Sequence, residues 1–162
     1  MLESQRKDMI IEHNFSNLVV KVVMESIKNG ESYSLKGSGN SMKPFLNEND
    51  TIIVSSVNKY KHKVGDILLY ERLNGQFVIH RIYNINKNGT YEFIGDNQFW
   101  VEKGIKEEQL KACVEKVIRN GREIDCKQGL VRMIMTIRMW LRVKFYALYC
   151  LVKRIVSACK VC

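Results

Sequence analysis

The chain is predicted to be mainly β: a coiled antiparallel domain with a packing helix before it and a basic amphipathic helical tail after it. Three observations predict this. Short runs rich in β-branched residues recur along the middle of the chain. Asn-Gly and similar turn dipeptides separate them. Composition then changes abruptly near residue 129, where the turn residues stop and a helix-favouring, proline-free stretch begins.

The elements follow in order. Phe15, Leu18, Val19, Val22, Val23 and Ile27 fall at helical spacing and form one apolar stripe, with Asn14 placed to cap it and Asn29-Gly30 to stop it. Residues 31–36 read as a first strand and 51–57 as a second. Residues 66–72 and 76–83 form a hairpin around Asn74-Gly75, and 91–95 is a further strand after the turn 86–89. Residues 105–110 read as a short helical or irregular insert, and 112–119 and 122–126 as a last hairpin around Asn120-Gly121. The division expected is a helical lead-in over 1–30, a β-domain over 31–128 and a tail over 129–162.

At 162 residues the chain is long enough for one domain with a real core. Its net charge of +9 is unevenly placed. From Leu130 onward there are seven basic residues (Arg132, Arg138, Arg142, Lys144, Lys153, Arg154 and Lys160) and no acid. The rest is nearly neutral, so no nucleic-acid partner is expected for the domain. The tail's longest uncharged apolar run, 145–152, is too short to span a bilayer, which takes roughly 18 residues or more. Trp140, Tyr146 and Tyr149 suit a headgroup region, and the tail reads as one or two interfacial helices on an anionic membrane surface. The competing reading is a helix docked on the domain with a basic outer face. A membrane-associated location follows from the first, on an unspecified side. The N-terminal residues carry mixed charges and read as neither a secretory signal nor a span. Five cysteines form no regular framework, and Cys159 and Cys162 read as reduced thiols.

The stretch 37–44, Gly-Ser-Gly-Asn-Ser-Met-Lys-Pro, is the candidate site. Its glycines and Pro44 shape a tight turn and put little bulk before Ser41, which suits a hydroxyl that another chain must reach. A serine needs an adjacent base to act as a nucleophile. His80, late on the second strand of the hairpin, is the right type, since its ordinary pKa lies near working pH. His62 lies in a polar loop and reads as a solvated residue. Asp66, in Gly65-Asp66, reads as a structural turn residue.

Ser41-Met42-Lys43-Pro44, Gly65-Asp66-Ile67, His80-Arg81 and Gly95-Asp96-Asn97, in that order, resemble the signal peptidase I-like serine proteases. The resemblance covers about residues 35–125 and is nearest the branch in which His replaces the usual Lys base, as in endoplasmic-reticulum and archaeal-type signal peptidases. It implies a serine endopeptidase that hydrolyses a signal or leader peptide through an acyl-enzyme, with Ser41 as nucleophile and His80 as base. Asp96 would accept from the other imidazole nitrogen and complete a triad. The oxyanion would be held at Ser41, Gly39 and Asn40, largely by backbone N–H groups. In the family a hydroxyl often stands two residues before the nucleophile; here that place is Gly39, with Asn40 or Ser38 left to compensate. Met42, Pro44 and Arg81 would support the site. The partner implied is a peptide or precursor protein lying as an added strand, and neither a metal nor another cofactor is called for.

Two other readings stay open. One is a catalytically silent peptide-binding module at a membrane. The other is a self-cleaving repressor-type protease, which would use a Lys base and carry a helix-turn-helix, for which about 30 residues before the first strand are too few.

Overall fold

A computed structural model describes residue 27, residues 32–59 and residues 61–159 of the chain. Among these residues eight strands, all pairing antiparallel, form one sheet: β1 Tyr33–Lys36, β2 Thr51–Ser56, β3 Ile67–Glu71, β4 Phe77–Ile85, β5 Tyr91–Ile94, β6 Glu102–Ile105, β7 Leu110–Arg119 and β8 Arg122–Asp125. Their order is β1-β2-β7-β3-β4-β5-β6, and β8 pairs with the far half of β7 beside β3. The mainly antiparallel β class expected from the sequence is the class observed.

The physical reason is visible in β3. Ile67 and Leu69 belong to one core cluster, Leu68 and Tyr70 to another, and all four are buried. A central strand of a coiled sheet is covered on both faces, so its sequence is continuously apolar instead of alternating. Register shifts at 53/54, 69/70, 82/84 and 91/93 supply the coiling, because an extra residue on one strand bends it and increases its twist.

One expectation is refined. The stretch 105–110, expected to be a short helical or irregular insert, is a short helical turn only at its centre. A strand, β6, ends at Ile105, a single 3-10 turn covers Glu107–Gln109, and β7 already begins at Leu110. The sequence hid β6 because its four residues include Glu102, Lys103 and Gly104, none of them a strand former. The helical stripe from Phe15 lies outside the described residues except for Ile27, which is helical and buried in the first core cluster.

The tail is one helix, Gly129–Cys159. Along one side it docks on the sheet: Met139 is buried, Trp140 stacks on Tyr83 at 5.8 Å between ring centroids, and Tyr146 stacks on Phe99 at 4.8 Å. Arg132 reaches Asp66 at 3.4 Å. Among the described residues no helix is long and apolar enough to cross a membrane.

Candidate active site

The Ser41 turn is part of a loop closed at its base, where Gly37 N–H donates to the Asp50 carbonyl at 2.8 Å. Met42 and Leu46 anchor it, both buried in the first core cluster. Arg119, from β7, donates through Nη2 to the Phe45 carbonyl at 2.8 Å and to the Asp50 carboxylate at 2.6 Å. That hydrogen bond from Arg119 holds the Asp50 carboxyl below its ordinary range. Local sequence explains the shape. Gly39 has φ 82°, a left-handed conformation that a serine adopts only under strain. The missing hydroxyl two residues before Ser41 is thus the result of backbone geometry.

The turn is pinned to the end of β5. The Ser41 carbonyl accepts from Asn97 N–H at 2.7 Å, and Asn97 Nδ2 donates to the Asn40 carbonyl at 3.3 Å. Gly95 lies beneath, and a Cβ there would come within 2.5 Å of the Ser41 carbonyl oxygen. This close approach requires glycine. It also fixes the height of Ser41 on the sheet. Arg81 pairs with Ile94, so the antiparallel step from Ile94 to Gly95 runs beside the step from Arg81 to His80. Gly95 itself lies one residue beyond the end of β5, next to the step of β4 that holds His80. Ser41 is half-buried there, and its side chain is not hydrogen-bonded to that of His80.

The His80 ring lies with the second core cluster and is 1 % exposed. Its Nδ1 is 3.1 Å from the Tyr70 hydroxyl and 3.5 Å from Glu102 Oε1. Glu102 is in turn gripped by Arg72, whose Nε donates to Oε2 at 2.9 Å and whose Nη2 donates to Oε1. Burial lowers the His80 pKa to about 4; the nearby Glu102 opposes this and Arg72 reinforces it. Burial raises the Tyr70 phenol, helped by Glu102. Glu102 stays below its ordinary value: burial pushes it up, but the Arg72 hydrogen bond and the neighbouring charges outweigh that. His80 is therefore a neutral imidazole at neutral pH beside an ionised carboxylate.

Asp96 does not meet His80. Both its oxygens are taken by Arg81, with Nε to Oδ1 at 2.8 Å and Nη2 to Oδ2 at 2.6 Å. Arg81 Nη1 donates to the Gly65 carbonyl at 2.8 Å, and its guanidinium lies 4.9 Å from the centroid of the Phe45 ring. The triad role expected for Asp96 is corrected by face: adjacent residues of a strand point to opposite sides, and Asp96 is on the side of Arg81. Arg81 thus forms a buried ion pair, and it also touches Phe45 of the loop that carries Ser41.

The remaining candidates fall into place. Asp66 is a turn residue, its Oδ2 accepting from Lys63 N–H at 2.8 Å. His62 is corrected from a solvated residue to a half-buried one. It packs edge-on against Tyr91 at 6.3 Å between centroids, and burial lowers its pKa. Pro44 follows a cis peptide bond and is exposed. The N–H groups of Asn40, Ser41 and Met42 make no backbone hydrogen bond among the described residues. The sequence reading missed Glu102, Tyr70 and Arg72, because Glu102 lies in a strand without a recognisable motif and meets His80 only across the folded sheet.

Comparison with known proteins adds a family. The model of the family described as Peptidase S24-like matches residues 7–118. No curated protein matches the chain.

Proposed function

Since the chain belongs to the Peptidase S24-like family, which makes it a peptidase-fold protein of serine type, we propose that it is an endopeptidase cleaving a signal or leader peptide. Ser41 is the nucleophile and His80 the general base. The observation that carries this is the docking of the Ser41 carbonyl over Gly95, the residue after Ile94, whose partner across the sheet is Arg81, the neighbour of His80. A direct hydrogen bond is not required beforehand, since catalytic contacts often tighten only when substrate binds.

The chemistry follows from these groups. Ser41 Oγ attacks the scissile carbonyl carbon as its proton passes to His80 Nε2. The resulting oxyanion faces backbone N–H groups of the Ser41 turn. Collapse breaks the C–N bond, and His80 returns the proton to the departing amine. Water then attacks the ester, giving its proton to His80, and Ser41 is released when that proton returns. Burial serves this cycle by keeping the resting imidazole unprotonated and able to accept. A self-cleaving protease would use the same centre on a segment of its own chain, so the test must separate the two. Purified protein is mixed with a separate precursor peptide, and alone. Cleavage of the precursor, abolished in Ser41→Ala and in His80→Ala, is the expected result. Cleavage of the chain itself in place of the precursor favours the repressor-type reading, and unchanged processing in either variant removes the assignment.

The helix Gly129–Cys159 supports a second element of the proposal, attachment to an anionic membrane surface. Leu130, Ile134, Ile137, Leu141, Phe145 and Leu148 recur at helical spacing, and each is more than half exposed. They form a second apolar stripe beside the docked one, on a helix whose described side chains include basic residues and no acid. A peripheral protease held there would meet precursors at the bilayer.

A further inference from the structure

Resting on the reading of Ser41 and His80 as nucleophile and base, we infer that Glu102, together with Tyr70, is the positioning device that fixes the His80 tautomer, with the proton on Nδ1 and the lone pair on Nε2, the nitrogen that takes the Ser41 proton in that reading. A neutral imidazole carries one N–H and one bare nitrogen, and the neighbours decide which is which. Nδ1 faces the Tyr70 hydroxyl at 3.1 Å and Glu102 Oε1 at 3.5 Å. An ionised carboxylate only accepts. A bare Nδ1 would set its lone pair against that charge, whereas Nδ1–H points a positive dipole end at it. The Tyr70 hydroxyl accepts as readily as it donates, so it adapts to Nδ1–H. Arg72 has two effects. Its two contacts hold the Glu102 carboxylate in one orientation, and its own charge restrains Glu102 from drawing a second proton onto the buried ring.

The same logic explains why Asp96 is not available for this task. Its carboxylate is closed off by a two-point contact with Arg81 on the other face. The acidic partner of the base comes instead from β6, two strands away from β4 in the sheet. Titratable and charged groups facing His80 thus come from β3 and its turn (Tyr70, Arg72) and from β6 (Glu102), and all three belong to the proposed device.

The test has two arms. In the first, protein labelled with 15N at histidine is studied by NMR at neutral pH, with the signals of the other two histidines identified by His13→Gln and His62→Gln. The expected result is His80 protonated at Nδ1 in the intact protein and displaced towards the Nε2–H form in Glu102→Gln. Protonation at Nε2 in the intact protein overturns the inference, and this measurement needs no variant to fold. In the second arm, the rate at which a serine-reactive phosphonate labels Ser41 is followed across pH. Labelling is expected to fall about 10²-fold in Glu102→Gln and to recover in part in Glu102→Asp. Equal rates and an unchanged pH profile in folded Glu102→Gln overturn the inference while leaving Ser41 and His80 in place. An intact protein whose Ser41 takes no label, and whose precursor cleavage survives Ser41→Ala, removes the functional reading and the inference with it.

Discussion

His80 and Arg81 are consecutive residues of β4, each at most 1 % exposed, and the strand sends them to opposite faces. On the Arg81 face burial is solved by charge. The guanidinium meets a carboxylate in two-point contact, a carbonyl and an aromatic ring. On the His80 face burial is solved by neutrality: the ring gives up its proton and lies among Tyr70, Glu102 and Arg72. The difference teaches which residue does which kind of work. A permanently charged group in a closed network can only hold structure. A group forced to be neutral next to ionised ones can take up a proton when a reaction supplies it.

This contrast can be broken in graded steps. The largest effect is expected from Asp96→Ala, which strands the Arg81 charge in the interior. Chemical denaturation should show a loss of about 3–5 kcal/mol, as for other broken buried pairs. A loss below 1 kcal/mol would mean that the pair is not closed to water. Next comes pH. His80 binds its proton less readily when folded, at about 4 against 6.5 for the free side chain. Its contribution is therefore complete above pH 6.5, declines as the pH falls from there to about 4, and is flat below. The decline is on the order of 3 kcal/mol. The same titration on His80→Asn should lack this component, and an identical curve would show that His80 titrates normally.

Tyr70→Phe is milder. It removes one hydroxyl from the His80 face and keeps the ring stacked on Phe93, at 4.5 Å between centroids. A cost of about 1 kcal/mol in thermal unfolding is expected. Mildest of all is Phe145→Glu on the exposed stripe of the helix, remote from both clusters. Stability should change by roughly 0.5 kcal/mol at most, while flotation with anionic vesicles should drop clearly. Undiminished flotation would show that this stripe is not the attachment surface.

Much of this architecture was legible in the chain. Turn dipeptides and β-branched runs located seven of the eight strands, and the Ser41 turn stood out by its glycines and Pro44. What stayed hidden depends on which way side chains point. Phe77 and Ile79 are apolar, and so are Val78 and Ile82, so β4 offers no alternation from which to tell the face of His80 from that of Arg81. Asp96 could be assigned to either neighbour, and the choice falls to the bend after β5. Glu102 was illegible for another reason. Its meaning comes from a partner 22 positions back, reached through β4 and β5 pairing in a bulged register that no local pattern encodes.

The helix Gly129–Cys159 lies directly over the carbonyl that Arg81 uses. A methyl group on Gly65 would overlap Thr136 and Arg132, and Arg132 also reaches the neighbouring Asp66. Lifting the helix from this seat would therefore let water compete for the Gly65 oxygen and slacken the clamp between Arg81 and Asp96. That clamp steadies the ground on which Ser41 stands, so the helix doubles as a roof whose removal is felt inside the house.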